Sequence, residues 1–268
     1  MDRFSLVGHS ALVTGGGTGI GAAIARGLAQ AGACVVVAGR RLSPLEKTAA
    51  HINQQLSKTA CWPLQCDVTD FSRADSIMKT ASGLTNTGAA ITVLVNNAGV
   101  NVRQPASELT EAHWRESLDL MLVAPFSLAR ACAPAWAAQG YGRVINIASL
   151  QSSLAFPDSI PYAASKSGVL GLTRALAEAY SPPHGFSGVT CNAIAPGYVS
   201  TDLTRSVFAD AHRARMLAAK TIAGRNSVPD DLAGPAVFLA SSAAAYVNGQ
   251  LLNVDGGFTA LGQSIGQL

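Results

Sequence analysis

Tyr162 and Lys166 stand four positions apart in "PYAASKSGVLGLTRALAEAY" (Pro161–Tyr180), an alanine-rich apolar segment that otherwise reads as a helix built for burial. On a helix that spacing sets a phenol and an ammonium on one face, a single turn apart. An unperturbed phenol ionises near pH 10, so Tyr162 can exchange a proton near neutrality only where a neighbour stabilises the phenolate. The positive charge of Lys166 is expected to lower the phenol pKa in this way. Ser149, thirteen residues before Tyr162, closes the run "RVINIAS" (143–149) and can donate a hydrogen bond to a substrate oxygen. A Tyr–Lys pair at this spacing is common on helix surfaces. It gains weight when a serine at a strand end and an anion-binding turn stand in the right order with it.

Such a turn opens the chain. "LVTGGGTGIGAAIARGLAQAGACVVVAGR" reads as strand, glycine-rich turn, helix and second strand. Gly15 permits the tight turn, Gly19 lets backbone approach a pyrophosphate, and Gly21 lets helix and strand pack closely while the helix N-terminus aims its amides at the anion. The motif, Thr-Gly-x-x-x-Gly-x-Gly, is one residue longer than the common Gly-x-Gly-x-x-Gly form. Where an NAD-binding chain ends its second strand with a carboxylate for the ribose hydroxyls, this chain has Gly39-Arg40-Arg41. An arginine there can meet a 2′-phosphate through paired N–H donors, so NADP(H) is expected over NAD(H).

The elements that must position these groups are legible as short apolar runs separated by helical stretches. Runs at 11–15, 34–39, 91–95, 143–149, 189–195 and 250–256 show little polar alternation, and a shorter one at 60–68 brings the count to seven. Strands without alternation are buried on both faces, which predicts an α/β fold: a single-domain, Rossmann-type, doubly wound parallel seven-stranded sheet with helices on both faces. The stretches Ile20–Gln30, Ala112–Ala138 and Tyr162–Tyr180 are long enough to be crossover helices. Pro125 and Pro134 lie inside the second of these and should bend or shorten it.

The totals narrow the function classes. In 268 residues, 49% are apolar and 13% charged, which suits one large domain spanning residues 1–268 with a surface partly covered by other subunits. The formal charge of +3 is scattered without a Lys/Arg run, so no nucleic-acid partner and no membrane partner are expected. Five cysteines occur without CxxC pairs or histidines at ligand spacing, so no metal and no disulfide framework is expected, and a cytoplasmic location follows as the default.

Taken together, "TGGGTGIG" (14–21), "NNAG" (96–99), Ser149, "YAASK" (162–166), "NAIAPGYVST" (192–201) and "NVDGG" (253–257) resemble the short-chain dehydrogenase/reductase family over almost the whole chain. Within it the chain is similar to the branch of gluconate 5-dehydrogenase-like and 3-oxoacyl reductase-like proteins. The resemblance implies hydride transfer between a nicotinamide and a small-molecule ketone or secondary alcohol, with Ser149, Tyr162 and Lys166 catalytic. It also implies that cofactor is bound by Gly15, Thr18, Gly19, Ile20, Gly21, Arg40 and Arg41, by Asp67 and Val68 on the adenine side, and by Asn97, Ala98 and Gly99 as a wall. Pro196, Gly197, Val199 and Thr201 would surround the nicotinamide, with Tyr162 and Lys166 also touching cofactor. A homotetramer or homodimer is implied, and a mobile lid over Leu203–Arg215.

One residue departs from the family pattern. An asparagine commonly follows a helix tryptophan by seven positions and helps a water-mediated proton relay; counting from Trp114 reaches Met121. A thioether is a poor acceptor and no donor, so a relay must use other water or backbone carbonyls. The alternative reading is a cofactor-binding protein with low or lost catalysis. Gln151, Phe156, Tyr198 and Phe208 are expected to line the substrate cleft. Arg103 can attract an acidic substrate, although a solvated loop arginine is the commoner occurrence.

Overall fold

A computed structural model describes residues 2–85, 88–201 and 204–262. Its seven strands are β1 (Ser10–Thr14), β2 (Cys34–Gly39), β3 (Cys61–Gln65), β4 (Val93–Asn96), β5 (Gly142–Ile147), β6 (Val189–Pro196) and β7 (Leu251–Val254). They form one parallel sheet in the order β3-β2-β1-β4-β5-β6-β7. The chain winds outward from β1 in one direction and from β4 in the other, so the two neighbours diverge and leave a crevice above their carboxyl ends. Pro63 sits in β3, an edge strand, where a missing amide costs no interior ladder bond.

Successive strand residues feed opposite cores. Ala11 and Val13 of β1 join Val35, Val37, Val93, Val95 and Ile145 on one face, beneath α1 (Gly19–Gln30), α2 (Leu42–Leu56) and, late in the chain, α9 (Ala233–Ala240). Leu12, Val36, Leu94 and Val144 face the other way, onto α3 (Ala74–Leu84), α5 (Ala124–Gln139) and α6 (Ile160–Ala179). Trp136 of α5 is wholly buried there and donates its indole N–H to the Ile91 carbonyl at 3.0 Å. Truncating such a side chain to alanine would cost about 3–5 kcal/mol. All five cysteines are unpaired thiols, four of them buried.

The long helical stretch runs as α4 (Glu111–Leu118), a widened π turn over Asp119–Val123, and α5. The cause is Pro125. In an unbroken α-helix its ring would strike the Met121 carbonyl four residues back and leave that carbonyl without a donor. Inserting one residue relieves the clash: the Ala124 amide reaches five residues back, to the Asp119 carbonyl. Pro134 stays inside α5 without ending it. Beyond β6, two short helices, α7 (Arg205–Phe208) and α8 (Ala211–Ala218), follow.

Candidate active site

The crevice above β1 and β4 is a cleft of about 520 Å³. Its floor is the turn between β1 and α1. Gly19 holds a left-handed φ of 53°, and a β-carbon there would crowd Thr201 at 3.2 Å. Thr18 precedes α1 without capping it by its side chain, so the first amides of that 12-residue helix are left for an anion. The floor is braced from β4. The Thr14 hydroxyl accepts from the Asn97 and Ala98 amides at 3.0 and 3.1 Å, and the Asn97 side chain donates to the carbonyls of Thr14 and Gly15 at 2.9 and 3.2 Å. At the far end Arg40 and Arg41 stand with Asp67 and Val68 around the same cleft. The Asp67 carboxyl is held below its usual range by hydrogen bonds from Thr69, assisted by the Arg40 charge.

A smaller cavity of about 160 Å³ adjoins it, and Ile20, Asn97, Gly99 and Thr201 line both. Ser149, Tyr162 and Lys166 meet there. Ser149 follows β5 and caps a short turn over Leu150–Ser152, its hydroxyl accepting from the Gln151 amide at 3.1 Å. Tyr162 lies in the first turn of α6, Lys166 one turn later, and Ser149 hydrogen-bonds the phenol. Ser152 ties the two elements together: its hydroxyl accepts from the Ser149 amide at 3.2 Å and donates to the Lys166 carbonyl at 2.7 Å.

Burial raises the Tyr162 phenol above its ordinary value, opposed by the Ser149 hydrogen bond and by the charge of Arg103. Lys166 sits one turn on, with its ammonium over the Tyr162 ring. Its ammonium donates to the Ile147 carbonyl at 2.5 Å, lies 5.7 Å from the centre of the Tyr162 ring, and is itself pushed down to about 8 by burial. Arg103, whose charge acts on the phenol, comes from the loop after β4.

A comparison with known proteins decides the family: the short chain dehydrogenase family matches residues 9–212. The chain belongs to this family. Gluconate 5-dehydrogenase of Gluconobacter oxydans (strain 621H) is 37% identical over 258 residues, covering 96% of this chain and 97% of that protein. The 2-dehydro-3-deoxy-D-gluconate 5-dehydrogenase of Bacillus subtilis (strain 168) is 40% identical over 260 residues, covering 96% and 97%. The crystal structure of a gluconate 5-dehydrogenase from Burkholderia cenocepacia J2315 in complex with NADP and tartrate is 38% identical with a TM-score of 0.87, covering 97% of this chain and 98% of that one.

In this short-chain dehydrogenase the residues present fit a nicotinamide dinucleotide: an uncapped helix N-terminus, a floor with no room for side chains and a cleft running on into the catalytic cavity. Gly15, Thr18, Gly19, Ile20, Ala98 and Gly99 line the larger part, and Pro196, Gly197, Val199 and Thr201 the smaller. Gly21 is the exception. It lines neither cavity and packs behind the turn, where a β-carbon would lie 2.3 Å from the Gly15 carbonyl oxygen. Reading the protein as a binder without catalysis is not favoured, since Ser149, Tyr162 and Lys166 converge on one cavity.

The substrate side differs in two places from expectation. Gln151, Phe156 and Tyr198 line the catalytic cavity, whereas Phe208 borders a separate depression with Gly19, Ser200 and Arg205. Arg103 is exposed yet borders the cavity, and its charge reaches both Tyr162 and Tyr198. Leu203, where the expected lid begins, lies outside the described residues. Sequence reasoning missed Glu116, Asp119 and Leu120, which line the nucleotide cleft from the helix carrying Met121, and the brace supplied by Ser152. Spacing carried no signal for either.

Proposed function

We propose that this short-chain dehydrogenase interconverts a secondary alcohol and a ketone on a small hydroxylated carboxylic acid of the sugar-acid class, with NADP(H) preferred to NAD(H). One observation carries the substrate class. Arg103 borders the catalytic cavity, acts on Tyr162 and Tyr198, and has no ion pair of its own among the described residues. A guanidinium left free beside the reacting groups is a ready partner for a carboxylate. The relatives named for gluconate and deoxygluconate oxidation support the same class.

The bound dinucleotide would take up or supply the hydride. Ser149 would hold the substrate oxygen by a hydrogen bond, and Tyr162 would remove or return the proton on that oxygen. Lys166 would keep the phenol oriented through α6 and carry positive charge beneath it. Arg40 and Arg41 support the choice of NADP(H), since no carboxylate ends β2.

The reading includes one dinucleotide-binding domain with a lid around 203–215 and a homotetramer or homodimer. The helix over 111–139 is long and apolar enough to cross a membrane by length and composition, with half of its most apolar window buried. Val123 and Phe126 remain exposed on it and would be covered by another copy of the chain. Five unpaired cysteines agree with the cytoplasm.

The test is a panel of D-gluconate, 5-keto-D-gluconate, a neutral alditol and a 3-oxoacyl thioester, each with both nicotinamides. Turnover of the acids with NADP(H), and a KM for the acids raised at least tenfold in Arg103→Met while the KM for the alditol is unchanged, is the expected result, any loss of kcat through Tyr162 being shared by both. Preference for the thioester, or indifference to Arg103, would overturn the assignment.

A further inference from the structure

Most polar side chains lining the catalytic cavity are committed to the protein. The Asn97 amide holds the carbonyls of Thr14 and Gly15, Ser149 bonds Tyr162, Lys166 bonds the Ile147 carbonyl, and the Thr201 and Thr204 hydroxyls bond each other. Two are not. The side-chain oxygens of Asn101 and Gln151 are shut off from bulk solvent and meet no donor, although both residues line the cavity. Gln151 is 7% exposed and its amide has no partner among the described residues. Folded chains seldom leave such atoms unsatisfied, because neither water nor protein then replaces the hydrogen bonds lost on burial. A site that normally receives a ligand donor at those positions is the ordinary exception.

We infer that Asn101 and Gln151 are specificity-determining residues whose amides read hydroxyl groups of a polyhydroxylated substrate. This rests on the sugar-acid reading above and deepens it. The hydroxyls along the chain supply donors to the two open acceptors, and the amide N–H groups can in turn meet hydroxyl oxygens. An acid lacking those hydroxyls would leave the acceptors as empty as they are without ligand. A site built around hydrogen bonds therefore rejects a deoxy analogue more strongly than an apolar pocket rejects an extra hydroxyl. An aromatic part of the lining supports the assignment. Phe156 and Tyr198 border the same cavity and pack edge-on with ring centres 6.0 Å apart, giving an apolar surface for the carbon-bound hydrogens of the same chain.

The experiment compares reduction of 5-keto-D-gluconate and of 5-oxohexanoate, which keeps the chain length, ketone and carboxylate but has no hydroxyls. Gln151→Met and Asn101→Leu retain approximate volume and remove the amide. Each is expected to lower kcat/KM for 5-keto-D-gluconate about tenfold, mainly through KM, and to change that for 5-oxohexanoate less than threefold. NADPH binding followed by fluorescence verifies that each variant is folded. Should one fail to bind NADPH, Gln151→Asn and Asn101→Ser, which shift or shorten the polar group, take its place. Equal losses on both acids, or no loss on the hydroxylated one, would overturn the inference while leaving the sugar-acid reading intact. Arg103→Met separates the two readings, because it is expected to weaken both acids. Wild-type protein that binds NADPH and reduces neither acid would remove the sugar-acid reading and this inference with it.

Discussion

The Lys166 ammonium and the Ile147 carbonyl are 2.5 Å apart, which anchors the cation to the end of β5 and places it beneath the catalytic cavity. Burial pushes the Lys166 pKa down to about 8. Because the folded value lies below that of the unfolded chain, the unfolded state binds more protons between the two, and stability rises with pH through that window. From pH 7.5 to 9.5 the unfolding free energy of the wild type should gain on that of Lys166→Met by about 2 kcal/mol. Parallel pH profiles in urea titrations would show that folding does not lower the lysine's pKa.

Tyr162→Phe deletes the phenol oxygen and keeps the ring. Proton exchange with the substrate should fall by at least 10²–10⁴, the usual contribution of a general acid or base, with cofactor affinity nearly unchanged. Steady-state rates and NADPH titration on the same sample check it. Substantial remaining turnover would assign the proton to another group.

Arg40 lies at the mouth of the nucleotide cleft close enough to act on Asp67. Arg40→Ala should weaken NADPH binding about tenfold or more and NADH binding little, since only the former carries the 2′-phosphate. Kd values for both, measured at two salt concentrations, test this. Equal weakening would return the arginine to a general electrostatic role.

Met121 is 1% exposed, and its sulfur lies 3.5 Å from where a β-carbon on Gly99 would sit, with the Lys166 nitrogen 3.9 Å from the same point. Met121→Asn places an amide where a buried thioether now packs. It should lower stability by about 1–3 kcal/mol for the buried polar group and raise kcat where proton release limits the rate. A thermal melt reads the first and a solvent isotope effect on kcat the second.

At the opposite end of the sheet, His9 stacks on Tyr141 with ring centres 4.1 Å apart, and the Arg143 guanidinium covers the other side of that phenol at 4.1 Å. Burial first, and the Arg143 charge second, lower the His9 pKa. The unfolded chain therefore takes up the proton at higher pH, so stability attributable to His9 is lost as pH falls below about 6.5. Replacing His9 by Phe should flatten the melting-temperature profile between pH 7 and 5. An unchanged slope would place the acid sensitivity elsewhere.

The sheet was legible because seven apolar runs without alternation admit few arrangements, and the reacting trio because its spacing matched the ends of the elements that carry it. What escaped prediction depends on directions that spacing does not encode. That Lys166 turns to Ile147 is set by how α6 crosses β5. The approach of Arg103 is set by a loop, whose Gln104 amide donates to the carbonyl of Asp158, a residue at a left-handed φ of 57°. Pro125 signalled a bend in the long helix, but the widened turn that absorbs it follows only from which carbonyl the ring would strike. The brace from Ser152 left no trace, since serine after a strand is ordinary turn composition.

The cross-links from Thr14 and Asn97 give the molecule its order of events. They are made within the chain, so the turn beneath the cleft is held by the protein's own hydrogen bonds. Folding, rather than docking, bears the conformational entropy of that turn. The first encounter with a nucleotide then resembles a key meeting a finished lock.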